Sequence, residues 1–232
     1  MNPIKANIPN SITCINLVAG CLAIITAAGA DSHLWGLQAY QWAFIFIAIG
    51  AVADFLDGFA ARAMHAYSNL GKELDSLCDL VTFGVAPAMI VFHLTEKFGA
   101  QEWLPWAAIL IPVAGAIRLA RFNIDTRQAT SFIGMPIPAN AIFWIGYAAM
   151  FMQGASFLFE WYVFIPVLLI ECWLMNSPLR IFSLKFKNLR FRENAPRFIL
   201  ILAAIVFCFT LGTGGLLWLI VFYILLSLAF KS

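Results

Sequence analysis

Asp54-Phe55-Leu56-Asp57-Gly58-Phe59-Ala60-Ala61-Arg62 is followed, eight residues later, by Gly71-Lys72-Glu73-Leu74-Asp75-Ser76-Leu77-Cys78-Asp79. Both runs lie within stretches otherwise apolar enough to cross a membrane, and together they hold four aspartates. An ionised side chain at membrane depth costs roughly 2.5–3.5 kcal/mol on insertion scales. Four of them at ordered spacings mark a place where the chain does chemistry.

The surrounding composition sets the solvent. The chain has 232 residues, 62% of them hydrophobic and 11% charged, against about 25% charged in a soluble domain. Eight apolar stretches approach the ~20 residues that a spanning helix needs: 12–30, 40–61, 74–94, 103–122, 132–152, 157–175, 196–211 and 214–230. The expected fold is all-α, a polytopic membrane helical bundle of about eight transmembrane helices, with the site on helices 2 and 3. Short connections and the lack of a composition shift imply one domain over residues 1–232. The first stretch lacks an A-x-A-like cleavage site and carries Thr13 and Asn16, which fits a retained helix better than a signal peptide.

Basic residues give the orientation, since they concentrate on the cytoplasmic side. With the N-terminus inside, thirteen of the fourteen fall there: Lys5, Arg62, Lys72, Arg118, Arg121, Arg127, Arg180, Lys185, Lys187, Arg190, Arg192, Arg197 and Lys231. Lys97 alone falls outside. This count implies a multi-pass protein of the cytoplasmic membrane, with both termini and the aspartates toward the cytoplasm. The net charge of +2 gives no footprint for nucleic acid; the basic loops face anionic lipid instead. The mixed aromatic and basic stretch 181–192 is expected to be an interfacial loop. Cys14, Cys21, Cys78, Cys172 and Cys208 have neither CxxC spacing nor a place in a loop, so they read as small buried hydrophobes. His33, His65 and His93 are isolated and take no catalytic role.

Asp54, Asp57, Gly58 and Ala61 recur at i, i+3, i+4 and i+7, one face of a helix, and Gly71, Asp75 and Asp79 at i, i+4 and i+8, one face of the next. At ~1.5 Å per residue, Asp57 lies about 8 Å and Asp54 about 12 Å in from Arg62, and Asp75 about 6 Å and Asp79 about 12 Å in from Gly71. Two antiparallel neighbours would thus present carboxylates across one cleft. Such anions repel unless neutralised, and oxygen ligands suit Mg²⁺ or Mn²⁺. Gly58 and Ala61 are open to two readings: close helix packing, or room for a flat ligand.

The full pattern D-x2-D-G-x2-A-R-x8-G-x3-D-x3-D, eight fixed residues over 26 positions, resembles the signature of the CDP-alcohol phosphatidyltransferase family. The resemblance implies transfer of a phosphatidyl group from a CDP-linked lipid to an alcohol, with release of CMP. It implies that Asp54, Asp57 and Asp75 hold metal, with two ions expected, and that Asp79 deprotonates the acceptor hydroxyl and also touches metal. Gly58 and Ala61 would make room for the cytidine and Arg62 would meet phosphate, with Asp54, Gly71, Asn10 and Thr13 completing the nucleotide site. A homodimer is implied as well.

Further blocks resemble the membrane phosphatidylserine synthase branch of that family. They are the opening from Ile8-Pro9-Asn10 to Gly20, the run from Asp75 to Ala88, Arg118-Leu-Ala-Arg121-Phe-Asn123, and Gly134-Met-Pro136-Ile-Pro138. They imply CDP-diacylglycerol and L-serine as substrates within membrane lipid. Arg118 and Arg121, one helical turn apart, suit a carboxylate or phosphate, and Asn123 can bond either; the alternative is interfacial anchoring. The rival acceptors are glycerol 3-phosphate and inositol phosphate, and a rival of another class is a divalent-metal transporter. Glu171 is expected to pair with an arginine or to sit at the inner rim, and Glu73 to be a solvated loop charge. Asn16 joins Asn10 and Thr13 as a candidate lining residue from the first helix. Pro136 and Pro138 are expected to shape the entry to the fifth span.

Overall fold

The computed structural model describes residues 3–29, 32–66, 68–99, 101–125, 132–182, 184 and 191–230. Among these, eight apolar helical segments follow one another: α1 (Pro3–Ala27), α2 (Ala39–Ala63), a rod of α3 (Asn69–Asp79), a π turn (Leu80–Val85) and α4 (Ala86–Phe98), then α5 (Leu110–Ile124) with a 3-10 lead-in (Leu104–Ile109), α6 (Ile137–Met152), α7 (Trp161–Asn176), α8 (Phe191–Leu211) and α9 (Gly215–Ala229). The fold is an all-α membrane helical bundle. Among the described residues five stretches are long and apolar enough to cross a membrane, the last being Asn194–Ala229, which is broken at Gly212–Gly214 into α8 and α9. Helices α6 and α7 have 16 residues each, about 24 Å at 1.5 Å per residue.

The chain forms two compact units, Met1–Leu119 and Ala120–Ser232. In the first, α1 packs against α2 and against the whole rod. The facing surfaces are small: Ala19, Ala23 and Ala27 on α1, and Ala39, Ala43, Gly50 and Ala53 on α2 are buried. Between membrane helices no hydrophobic force drives association, so small residues that let backbones approach do the work. Trp35 (φ 48°) and Gly36 (φ 82°) turn the chain between α1 and α2. Both central residues are left-handed, the geometry of a tight hairpin, and Leu34 pairs with Leu37 across it.

In the second unit α9 packs against α6 and α8. Its core is aromatic: Trp144, Tyr147, Phe159 and Phe164 are buried and meet edge-on or tilted. The Tyr147 hydroxyl donates to the Leu158 carbonyl, satisfying its polar end in an apolar interior.

Several boundaries differ from the sequence expectation. The third span starts at Asn69 rather than 74, so Glu73 is a helical residue, although exposed as expected. The fifth begins at Ile137, because Phe132–Ile133 instead pairs antiparallel with Arg180–Ile181. Gly134 (φ 78°) turns the chain out of that strand, and Met135 is biased away from helix by the following proline. Pro136 is the N-cap of α6 and Pro138 sits in its first turn, as their chemistry requires. Helix α8 begins at Phe191, so the far end of 181–192 is helical. Arg127, Lys185, Lys187, Arg190 and Lys231 lie outside the described residues.

Candidate active site

Helix α1 is the shared wall of the site. It packs on both α2 and α3, whereas α2 meets the rod through the π turn and α4. A cleft of about 220 Å³ opens at the level of the carboxylates. Pro9, Asn10 and Thr13 line it from α1, Asp57, Gly58, Ala61 and Arg62 from α2, and Gly71, Lys72 and Asp75 from α3, with Ala66 and Ser68 from the link.

Asp54, Asp57 and Asp75 each offer a carboxylate oxygen, and these oxygens lie within 4.8 Å of one another. Asp57 is buried and the other two are half-buried. One oxygen of Asp57 (Oδ2) and one of Asp75 (Oδ1) are buried without a hydrogen-bond partner among the described residues. Uncompensated oxygens crowded in this way are costly and form a donor set for a hard cation. Asp79, one turn deeper on α3, is outside that group of three. It is buried, and its Oδ1 accepts from Nδ2 of Asn16 at 3.2 Å.

The small residues have separate jobs. A Cβ on Gly58 would sit 3.4 Å from Nη1 of Arg62, so the guanidinium lies back over the glycine. A Cβ on Gly71 would come within 2.9 Å of Asn10 Oδ1 and 3.0 Å of Ser68 Oγ, so this glycine lets α1 approach the start of α3. Ser68 caps α3, its hydroxyl accepting from Gly71 N at 2.9 Å. The helix N-terminus, Arg62 and Lys72 together make the cleft mouth electropositive.

Six residues expected at the nucleotide site (Asn10, Thr13, Gly58, Ala61, Arg62 and Gly71) line this cleft, and Asp54 joins the carboxylate group instead. The sequence reading missed Pro9, Ala66, Ser68 and Lys72. Ser68 was detectable, as a serine just ahead of a helical pattern; Lys72 carried no signal. Arg118 is buried on α5 and is not among the cleft-lining residues. Arg121 donates from Nη1 to the carbonyl of Asn176, the last residue of α7, at 3.1 Å, a favourable place for a cation. Asn123 is half-buried near the end of α5. Glu171 is buried in α7, and among the described residues no arginine pairs with it and its Oε2 has no hydrogen-bond partner. His93 lies 3.1 Å from Glu96, away from the cleft lining.

A family model described as CDP-alcohol phosphatidyltransferase matches residues 6–174, from α1 nearly to the end of α7. The chain belongs to this family. A CDP-alcohol phosphatidyltransferase of Bacillus subtilis is 42% identical over 135 residues, covering 56% of this chain and 69% of the relative. One of Mycobacterium leprae is 36% identical over 153 residues, 63% of this chain and 48% of the relative. One of Methanocaldococcus jannaschii is 35% identical over 143 residues, 62% and 61% of the two chains. Each of the three is named CDP-diacylglycerol--serine O-phosphatidyltransferase. The matched region thus spans about two thirds of the first relative's length and roughly half to three fifths of the other two.

Proposed function

We propose that this chain transfers the phosphatidyl group of CDP-diacylglycerol to the hydroxyl of L-serine, giving phosphatidylserine and CMP. The observation that carries the reading is the group of three carboxylates, within 4.8 Å of one another, on a cleft with an electropositive mouth. Family membership supports the CDP-lipid, and the names of the relatives support serine over glycerol 3-phosphate or inositol phosphate.

The residues fit a divalent metal: the oxygens left without hydrogen-bond partners on Asp57 and Asp75 are what a hard cation would satisfy. Asp54, Asp57 and Asp75 would hold Mg²⁺ or Mn²⁺, with two ions our preferred number and Asp79 proposed as a further ligand to one of them. Bound metal would neutralise the diphosphate and the oxygens that gain charge during transfer.

The protein groups do the rest. Arg62, Lys72 and the first turn of α3 attract the diphosphate, while Asn10, Thr13, Gly58, Ala61 and Gly71 shape the nucleotide cleft. Asp79 takes the proton of the serine hydroxyl. The hydroxyl oxygen bonds to the phosphorus that carries the lipid, and the bond from that phosphorus to the CMP oxygen breaks. We assign recognition of the anionic part of a substrate to Arg118, Arg121 and Asn123. The lipid tails stay in the bilayer while nucleotide and serine arrive from the cytoplasm. This needs the N-terminus inside, which the placement of the basic residues favours, and we take the working unit to be a homodimer.

The test is CMP release from CDP-diacylglycerol by the purified protein with and without serine. Serine-dependent release with matching phosphatidylserine is the expected result. Release driven equally by glycerol 3-phosphate or inositol phosphate, or none with serine, would overturn the assignment.

A further inference from the structure

Below the carboxylates, three helical elements meet at Asn16, Gly50 and Thr82. Asn16 is fully buried on α1. Its Nδ2 donates to Asp79 Oδ1 at 3.2 Å across 63 residues of sequence. Its backbone carbonyl accepts from the Thr82 hydroxyl at 2.9 Å. Thr82 lies in the π turn that directly follows Asp79. Two glycines clear the space. A Cβ on Gly50 would come within 2.9 Å of Asn16 Oδ1 and 2.5 Å of the Thr82 methyl. A Cβ on Gly20 would overlap the Thr82 hydroxyl and press on its backbone.

Asn16 presents its NH₂ edge to Asp79, the edge that suits a carboxylate acting as acceptor. That choice turns Oδ1 away, and it is buried without a hydrogen-bond partner among the described residues. A carboxamide whose only function is to join helices would use both edges. This one leaves its acceptor without a partner and commits its donor to a single carboxylate oxygen.

We infer that Asn16 is a positioning residue for the transfer step: by holding Oδ1 of Asp79 it aims Oδ2 at the acceptor hydroxyl. The inference rests on the proposed role of Asp79 as the base. Proton transfer needs the accepting oxygen within hydrogen-bond reach of the hydroxyl, and a carboxylate free to rotate about its terminal bond would spend most of its time misaligned. Thr82 supplies an independent tie between the same two elements, so loss of the Asn16 amide leaves the helices joined.

Three variants separate positioning from packing: Asn16→Leu, of similar size without the donor; Asn16→Asp, of the same shape and unable to donate when ionised; and Thr82→Val, which removes the other tie and leaves the Asn16 amide in place. Purified protein is assayed for kcat and for KM of CDP-diacylglycerol and serine, with metal-dependent binding of CDP measured separately. Both Asn16 variants should lose roughly 10- to 100-fold in kcat, the range for a hydrogen bond that orients a charged group. CDP binding and KM for the CDP-lipid should stay near those of the parent, and Thr82→Val should keep most of its kcat. Parental kcat in either Asn16 variant would overturn the inference. So would loss of CDP binding in step with kcat, or an equal fall in Thr82→Val. If the unaltered protein releases no CMP, the proposed reaction itself fails, an outcome distinct from active protein that is indifferent to residue 16.

Discussion

Replacing Asp57 by Asn should make the metal-free protein more stable and abolish most of the stability that metal adds. The carboxylate oxygens of Asp54, Asp57 and Asp75 lie within 4.8 Å of one another, and at an effective dielectric of about 20 one such pair repels by roughly 3.5 kcal/mol. Three charges make three pairs, and the substitution removes two of them, so the relief before screening is roughly 7 kcal/mol. Water at the cleft mouth screens Asp54 and Asp75, which are half-buried, leaving about 1–3 kcal/mol as the working expectation. Asn keeps the shape of Asp, so packing is little disturbed. The assay is thermal unfolding of detergent-solubilised protein in excess chelator and across a Mg²⁺ or Mn²⁺ titration. In chelator the variant should melt several degrees above the parent. With metal the parent should gain and the variant should gain much less, because ligand binding stabilises only the state that binds. A parent indifferent to divalent cations, or a variant that melts below the parent in chelator, would refute the reasoning.

Asp79→Asn keeps an acceptor oxygen for Asn16 and removes the base, so kcat for CMP release should fall about 10²-fold or more with CDP binding retained; near-normal turnover would remove Asp79 from that role. Chelation should abolish activity and either Mg²⁺ or Mn²⁺ should restore it, checked by CMP release at verified metal content, with full activity in chelator counting against the metal assignment. Ser68→Ala removes the cap of α3 and should cost about 1 kcal/mol of stability and weaken CDP binding, read by thermal unfolding and calorimetry. Steady-state kinetics with both substrates varied should show that Arg118→Lys or Arg121→Lys raises the serine requirement more than that for CDP-lipid, because an ammonium lacks the planar two-pronged contact; unchanged kinetics in both would take these arginines out of substrate recognition.

The parts of this fold that follow local rules were visible in the chain. The spacing of Asp54, Asp57, Gly58 and Ala61 gave one helix face, and the apolar stretches gave the helical segments to within about five residues, except that α1 starts at Pro3 rather than 12. What stayed hidden depends on contacts distant in sequence. Nothing local distinguishes Asn16 from Asn10 or Thr13 on the first helix, and only the approach of α1 to the rod sets its amide against Asp79. The pairing of Phe132–Ile133 with Arg180–Ile181 joins two short stretches separated by two helices, and strands of two residues have no periodicity to detect. Arg121 carried the same charge pattern as Arg118, yet Arg121 reaches a helix-terminal carbonyl while Arg118 is buried. The packing of α1 against both aspartate helices was likewise absent from the motif, which names residues on α2 and α3 alone.

The π turn has a consequence for how this protein tolerates changes in length. Ala86 N–H reaches back five residues to Val81 O, so the rod holds one more residue there than a continuous α-helix would. The segment absorbs that residue between the end that carries Gly71, Asp75 and Asp79 and the end that buries Ile90, Val91 and Leu94. Deleting a single residue between Leu80 and Val85 would return ordinary α geometry with the two ends still in phase, so the aspartates would keep the cleft and the lower half its packing against α1. In an unbroken α-helical rod the same deletion would turn one end by about 100° relative to the other. Tolerance to a lost residue is therefore concentrated in this turn.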